Sequence, residues 1–258
     1  MSKMRDGFLL ALQFFTIIPY KIEIPFRDEQ IRWLVRFLPF IGLISGTLAA
    51  CQYFYLTQWT SVSTLFLTVW LLFFYVAFSG GIHLDGWMDC SDAYFSYQDQ
   101  QKRLEIMSDP RVGAFAVLTV FFLLLFRLLF IYETVESSTF HALYLVIIPF
   151  MTRLGMGALL LSAPLAKRSG MAFEFKKALS KGDFGFYLVS YVLLIVLSVF
   201  LMPNQASFIL AMVTIAIVFH LVARRFIQKS FGGTTGDTLG AYVEGKETFL
   251  WGVLWLLL

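Results

Sequence analysis

Three aspartates follow the second apolar stretch of the chain, within the run GGIHLDGWMDCSDA at residues 80–93. If this run is helical, Asp85, Asp89 and Asp92 are spaced i, i+4 and i+7 and share one helix face. Like charges at this spacing repel each other, so a bound cation is expected to offset them. Carboxylate oxygens are hard ligands that select Mg²⁺ or a related cation. The pattern therefore predicts a metal site, against the plainer interpretation of a solvated helix face.

A glycine-rich segment, FGGTTGDTLGAYVE, follows the last long apolar stretch. The backbone N–H groups of a loop that contains Gly232, Gly233 and Gly236 can face an anion, and the start of a following helix adds its dipole. Asp237 and Glu244 are seven residues apart on one helical face, where they could complete a metal shell or accept a proton. A glycine-rich turn between two helices is the commoner explanation of such a segment.

Arginines near and inside the apolar stretches are candidates for binding phosphate. Arg111 follows Asp109 and Pro110 at the start of the third stretch, where a guanidinium can hold a phosphate through two hydrogen bonds. The alternative for Arg111 is an anchor at the membrane edge. Arg127 and Arg153 lie inside apolar stretches, where a charge costs about 2.5–3.5 kcal/mol. We interpret Arg153 as a group that reaches a negative substrate, and Arg127 as half of an ion pair between helices.

The composition places these groups in a membrane protein. Of the 258 residues, 59% are hydrophobic and only 14% are charged, and the mean hydropathy is +0.75. Soluble domains are about 45–50% apolar and about 25% charged, so a soluble globule is excluded. The net charge of +3, without a basic run, excludes a nucleic-acid partner. Cys51 and Cys90 are too far apart in sequence for a Cys-x-x-Cys metal site.

The apolar stretches predict the all-α class, in the form of a polytopic helical membrane bundle over residues 1–258. A membrane-spanning helix needs about 20 apolar residues. Six stretches qualify as full spans, namely residues 37–57, 63–80, 113–132, 141–162, 184–202 and 207–223. Residues 8–19 are too few to cross and predict a short interfacial or re-entrant helix. Residues 248–258 predict a C-terminal half-span that packs against the bundle.

The distribution of basic residues predicts the orientation of the bundle. All but two of the 20 Lys and Arg residues lie in segments that six spans would place on one side of the membrane. The positive-inside rule makes that side cytoplasmic. We therefore expect a multi-pass protein of the inner membrane, with both termini and the loops that carry the acidic and glycine-rich segments in the cytoplasm.

Three motifs in order resemble a known family. GGIHLDGWMDCSDA, RLEIMSDPRVGAFAVL and GGTTGDTLGAYVE are similar to motifs of the membrane-embedded cobalamin synthases (adenosylcobinamide-GDP ribazoletransferases). The segments FFTIIP, RFLPFIGLISG and MTRLG match as well, so the resemblance covers nearly the whole chain. It implies an enzyme of cobalamin biosynthesis that uses Mg²⁺. Such an enzyme joins adenosylcobinamide-GDP to α-ribazole or its 5′-phosphate, releases GMP and yields adenosylcobalamin or its 5′-phosphate.

The resemblance also implies roles for the residues within these motifs. We expect Asp85 and Asp89 to hold Mg²⁺, Asp92 to be a third ligand or the base, and Asp237 to be a further catalytic carboxylate. The expected substrate-binding residues are His83, Asp109, Arg111, Arg153, Gly232, Gly233, Thr235, Gly236 and Glu244. The partners implied are the two small-molecule substrates and the lipid bilayer, and the sequence leaves a monomer or an oligomer open.

Two other functions compete with this interpretation. A CDP-alcohol phosphotransferase would carry a D-G-x2-A-R-x8-G-x3-D-x3-D pattern, but the residues after Asp85-Gly86-Trp87-Met88 are Asp89-Cys90, where that pattern requires Ala-Arg. A secondary transporter would place its ionisable residues near the middle of the membrane. Here the acidic residues are predicted at the ends of spans.

Overall fold

The computed structural model describes residues 2–20 and 23–258 of the protein. These residues form twelve α-helices, namely α1 (Lys3–Phe15), α2 (Asp28–Arg36), α3 (Leu38–Trp59), α4 (Thr64–Phe78), α5 (Ile82–Phe95), α6 (Gln100–Ile106), α7 (Ala114–Glu136), α8 (Tyr144–Ser162), α9 (Met171–Ala178), α10 (Gly182–Leu201), α11 (Ala206–Phe231) and α12 (Gly236–Leu257). Within the described ranges there is no β-strand, and Leu165 and Thr234 form an isolated bridge. The predicted all-α class is confirmed.

Five helical segments of the described chain are long and apolar enough to cross a membrane: α3, α7, α8, α10, and α11 with the short 3₁₀ turn before it. They correspond to five of the six predicted spans. The remaining span, predicted over 63–80, contains α4, which has 15 residues and is too short to cross alone. Helices α4 and α5 reach the length of a span only together, and their axes differ by 87°. The described residues therefore form a multi-pass membrane bundle with five candidate spans, or six if this bent pair is one span.

Two glycines end α4 and turn the chain into α5. Gly80 and Gly81 have φ angles of +65° and +75°, in the left-handed region that favours glycine. The apolar helix therefore does not continue into the acidic run, which instead begins a helix of its own. The three aspartates nevertheless share one helix, because α5 extends from Ile82 to Phe95.

The last helix differs most from its prediction. Instead of a half-span over 248–258, α12 is one continuous helix of 22 residues, and most of its side chains are buried. It packs against α5, α7, α8 and α11 in the interior of the bundle. The span predicted from the sequence was too short because Glu244, Lys246 and Glu247 lower the hydropathy of the first half of α12. These charged groups are buried inside the protein.

The N-terminal segment forms two short helices that lie against the bundle. α1 begins at Lys3 and ends at Phe15, so it starts earlier than the predicted helix over 8–19 and stops before Pro19. The polar face of α2 is tied to the start of α10, because Arg32 and Arg36 both pair with the buried Asp183 carboxylate, at 2.9 and 2.6 Å.

Candidate active site

The three aspartates of α5 lie on one face of the helix, as predicted. Asp85 is exposed, and Asp89 and Asp92 are half-buried. Within residues 2–20 and 23–258, no Lys, Arg or His forms an ion pair with any of them. Partial burial raises the pKa of Asp89 to about 6, and the nearby carboxylates of Asp85, Asp237 and Asp92 add to this shift. The site therefore concentrates negative charge that a bound cation would offset.

A close crossing between α5 and α12 brings a fourth carboxylate, Asp237, to this cluster. Gly86 lies so near the first turn of α12 that a Cβ on it would be 2.6 Å from the carbonyl oxygen of Asp237. One turn further along α12, a Cβ on Gly240 would be 3.1 Å from the carbonyl oxygen of His83. Only residues without a side chain allow two helices to approach this closely. The crossing thus explains how Asp237 joins residues about 150 positions earlier in sequence.

The glycine-rich loop forms the turn between α11 and α12 and is held by a second loop. The N–H of Thr234 donates to the carbonyl oxygen of Pro164 (2.8 Å), and the N–H of Ala166 donates to that of Thr234 (3.1 Å). Gly233 lies against the same segment, where a Cβ would be 2.5 Å from the Pro164 carbonyl oxygen. The loop is therefore fixed in place, and Gly232 ends α11 with a φ of +77°.

Of the predicted binding residues in this loop, Thr235 caps a helix and Gly236 is exposed. The buried Thr235 caps α12: its hydroxyl accepts from the N–H of Thr238 (3.1 Å), and the Thr238 hydroxyl accepts from the N–H of Thr235 (2.8 Å). Gly236, the first residue of α12, is exposed beside Asp237. The N-terminus of α12 therefore faces the acidic cluster with the positive end of its dipole.

Lys167 is a member of the site that the sequence reasoning missed. It follows the segment that holds the glycine-rich loop, and it is near enough for its charge to act on the Asp237 carboxylate. The available signal was weak, because Lys167 belongs to a loop with five Lys and Arg residues that orientation alone explains.

Asp92 has two backbone partners that the sequence did not reveal. One carboxylate oxygen accepts from the N–H of Gly113 (2.6 Å) and the other from the N–H of Ala116 (2.8 Å). Asp92 therefore caps the start of α7 and joins it to α5. Each oxygen keeps a further lone pair, so these hydrogen bonds fix the carboxylate in place and still leave it able to bind another group.

Asp109 and Arg111 lie on the segment that leads to this cap. Their side chains form an ion pair, with Arg111 Nε 2.9 Å from Asp109 Oδ1, and this partner lowers the pKa of Asp109 to about 2. The Arg111 side chain is exposed and lies two residues before Gly113, which binds Asp92. Arg111 thus lies close in sequence to the residue that Asp92 binds, and its charge is paired with that of Asp109.

The other predicted site residues lie in the interior of the bundle. Glu244 pairs with Arg127 at 2.6 Å, which is the ion pair between helices expected of Arg127. Arg153 pairs with Glu247 at 3.4 Å, although we interpreted it as a group that reaches substrate. His83 is buried with its ring 6.0 Å from that of Phe15.

The residues of the cluster fit a magnesium ion in one respect and not in another. Within the described ranges, no three or more His, Cys, Asp or Glu side chains are close enough together to enclose a metal ion. Mg²⁺, however, is usually bound by one or two carboxylates together with substrate phosphates. Asp85 and Asp89 lie one turn apart, have no ion-pair partner in the described part of the chain, and fit this second mode.

An all-helical multi-pass membrane protein with carboxylates gathered where α5, α7 and α12 meet has the architecture of an integral membrane enzyme. The family described as cobalamin-5-phosphate synthase matches residues 7–255. The chain belongs to this family, so it is a transferase of cobalamin biosynthesis, and the resemblance seen in the motifs is confirmed.

Individual relatives agree with this assignment. A protein of Geobacillus thermodenitrificans (strain NG80-2) named adenosylcobinamide-GDP ribazoletransferase is 45% identical over 100% of this chain and 98% of its own length. Proteins of the same name from Halalkalibacterium halodurans and Clostridioides difficile (strain 630) are 34% and 32% identical, and the matches cover 97% and 93% of this chain and 95% and 93% of theirs. No solved structure matches the chain.

Proposed function

We propose that this protein joins adenosylcobinamide-GDP to α-ribazole or α-ribazole 5′-phosphate in a Mg²⁺-dependent reaction that releases GMP. A ribose hydroxyl attacks the phosphorus that carries the aminopropanol arm. A phosphorus–oxygen bond forms to the ribose, the bond to the bridging oxygen of the diphosphate breaks, and the hydroxyl proton is lost. GMP leaves with the bridging oxygen, and the product is adenosylcobalamin or its 5′-phosphate.

The observation that carries this proposal is the crossing of α5 and α12, which gathers carboxylates that have no cationic partner among residues 2–20 and 23–258. Asp85 and Asp89 would hold Mg²⁺, which neutralises diphosphate charge and stabilises the leaving group in such reactions. Asp237 faces the same place from α12 and is suited to accept the hydroxyl proton. Asp92 holds the start of α7 against this cluster.

Positive groups around the carboxylates would hold the phosphates. Lys167, whose charge acts on Asp237, and the exposed Arg111, once it leaves its partner Asp109, would contact the phosphates, and the N-terminus of α12 at Gly236 would supply backbone N–H groups. We give Arg153, Glu244 and His83 no contact with substrate in this proposal, because they are buried and the first two already have ionic partners.

The proposal includes an orientation in the inner membrane. The acidic cluster and the glycine-rich loop would face the cytoplasm, where the nucleotide substrates are available, in agreement with the positions of the basic residues. The C-terminus, expected from the sequence on the same face, would lie on the opposite one, because α12 starts at the acidic cluster and its last turns pack beside the far end of α7, with the rings of Phe130 and Trp255 5.5 Å apart. Reporter insertions at the exposed Tyr97, between α5 and α6, and in the loop between α7 and α8 test this topology. A cytoplasmic reporter should be active only at Tyr97, and the opposite pattern would overturn the orientation.

The reaction is tested with purified protein, adenosylcobinamide-GDP, α-ribazole 5′-phosphate and Mg²⁺, with mass spectrometric detection of GMP and the joined product. We expect both products in equal amounts, and neither after chelation of the metal by EDTA. Turnover of CDP-diacylglycerol in a parallel reaction would support a phospholipid enzyme instead. Uptake of substrate into proteoliposomes without a covalent product would support a transporter.

A further inference from the structure

A large apolar groove lies beside the candidate active site, on the far side of α5. It has a volume of about 860 Å³ and is lined by residues of α5, α7, α11 and α12. This volume lies within the about 300–1,000 Å³ of sites that bind small molecules. Aromatic side chains dominate its walls, among them Trp87 from α5, Phe122 and Phe126 from α7, and Phe226 from α11. The groove therefore suits an apolar occupant.

The floor of the groove is made by small residues of α12. Thr238, Ala241, Gly245 and Thr248 are spaced three, four and three residues apart and so lie along one face of the helix. Such a face in a membrane helix usually allows another helix to pack closely. Here α7 and α11 both pack against α12, and the lining residues leave open space between them. The small residues of α12 thus leave a groove between α7 and α11.

The groove opens toward the lipid. Its two walls, α7 and α11, are both long and apolar enough to be membrane spans. Phe122, Phe126 and Phe226 line the groove and are nevertheless 46%, 48% and 45% exposed, so its mouth lies between these two helices. From Thr238 to Phe249 the floor is about 16 Å long at 1.5 Å per residue. This length matches one leaflet of a hydrocarbon core that is about 30 Å thick.

The groove is separate from the acidic cluster. Trp87, Cys90 and Tyr94 line it, and on the helical wheel of α5 they lie opposite Asp85, Asp89 and Asp92. A phosphorylated substrate held by the aspartates would have α5 between itself and the groove. The occupant is therefore expected to come from the membrane and not from the reaction.

We propose that this groove binds one acyl chain of a membrane phospholipid as a specific, structural lipid. The groove opens between two membrane spans and is lined mainly by apolar and aromatic side chains, which suits an acyl chain. The phosphate would lie near Arg103, whose guanidinium stacks 5.1 Å from the ring of Tyr94 at one end of the groove. Arg103 Nη1 donates to the carbonyl oxygen of Ser230 (3.1 Å), which holds the half-buried guanidinium at this end of the groove.

The test is photolabelling of the full-length protein in vesicles of phosphatidylethanolamine and phosphatidylglycerol that contain a phospholipid with a diazirine on its acyl chain. Labelled peptides are mapped after washing in mild detergent. We expect label on α7, α11 and α12 at the lining residues, and little on the lipid-facing surface of α10. Equal labelling of both surfaces would overturn the proposal, because it would indicate ordinary boundary lipid.

Two matched variants on α11 sharpen this test. Ala223 lines the groove, and its neighbour Val222 is 61% exposed on the lipid face without lining it. Ala223→Trp should reduce labelling of the groove about tenfold, the change expected when about 1.4 kcal/mol of binding is lost, whereas Val222→Trp should not. Native mass spectrometry of the wild type, which should retain one phospholipid, keeps the proposal testable if Ala223→Trp fails to fold.

Two further measurements decide the identity of the occupant. Arg103→Gln should lower the retention of phospholipid in native mass spectra, and unchanged retention would contradict the position of the phosphate. Addition of α-ribazole 5′-phosphate or adenosylcobinamide-GDP should leave the labelling unchanged. Displacement of the label by either compound would overturn the proposal and make the groove part of the substrate site. Neither measurement needs turnover, so a failure here is distinct from a failure of the proposed reaction.

Discussion

Charged residues occur in two regions of this membrane protein, and the two sets are arranged in opposite ways. In the interior, Arg127 pairs with Glu244 at 2.6 Å and Arg153 pairs with Glu247 at 3.4 Å. Arg127 also donates to the Thr248 hydroxyl at 2.8 Å, so its charge is well satisfied. At the crossing of α5 and α12, by contrast, Asp85, Asp89 and Asp237 have no ion pair within residues 2–20 and 23–258.

The difference separates structure from chemistry. A buried charge must be paired or hydrogen-bonded, because an isolated one in a medium without water is very costly. The buried Lys246 has no ion pair among the described residues and donates to the Met151 carbonyl and the Tyr242 hydroxyl. The interior pairs therefore join α12 to α7 and α8. Carboxylates that repel each other at an accessible site contribute nothing comparable to stability, and their free lone pairs are available to a cation and a substrate. Four predictions test this distinction.

The largest effect is expected from Asp89→Asn. Loss of a carboxylate from the cluster weakens metal binding, which contributes several kcal/mol to such reactions, so activity should fall about 10³-fold or more. The unfolding temperature should stay the same or rise, since one repulsive charge is gone. GMP release and thermal unfolding of the purified protein measure the two effects. Glu105→Gln, which alters an exposed carboxylate of the same inner segment, should leave both unchanged.

Arg127→Met should act on stability instead. It leaves Glu244 buried without its partner, and breaking a buried pair costs about 3–5 kcal/mol. Unfolding in mixed micelles measures the loss, and the double variant Arg127→Met, Glu244→Leu should recover much of it. If the single variant is as stable as the wild type, the interior pairs do not hold α12. Lys102→Met, which breaks an exposed pair with Glu105, should cause no measurable change.

Gly86→Ala should separate the two helices of the site. The added Cβ would lie 2.6 Å from the carbonyl oxygen and 2.9 Å from the Cα of Asp237, so α5 and α12 must move apart. Such overpacking costs about 1–3 kcal/mol, and we expect roughly a tenfold loss of GMP release. Gly185→Ala is the matched control, because a Cβ there meets nothing within 4 Å. Equal activities of the two variants would mean that the close crossing does not position Asp237.

Asp92→Asn should have the smallest effect. The amide keeps one acceptor oxygen and so retains one of the two hydrogen bonds to the start of α7, at a cost of about 1 kcal/mol. Activity should fall about tenfold or less. A loss as large as that of Asp89→Asn, with unchanged stability, would show that Asp92 is a metal ligand or the base as well as a cap.

The sequence predicted the membrane class and most of the candidate site. Long apolar stretches are local properties, and so α3, α7, α8, α10 and α11 were all expected near their observed positions. The i, i+4, i+7 spacing placed the three aspartates on one face even though the helix begins only after Gly81. The length of α12 was not predicted, because hydropathy counts Glu244, Lys246 and Glu247 as charges in lipid although the fold buries them within the protein.

The sequence by itself determined that this protein lies in a membrane, where its helices are, and which residue types are available for chemistry. All three depend on composition and short-range spacing. Only the tertiary structure decided which charges act together. Arg153 looked like a substrate-binding group in sequence, yet it has a carboxylate partner, and Asp92, which stays a predicted metal ligand or base, also caps a helix. Lys167 looked like a topological signal, yet its charge acts on Asp237. Such partnerships join residues far apart in the chain, and no local pattern encodes them.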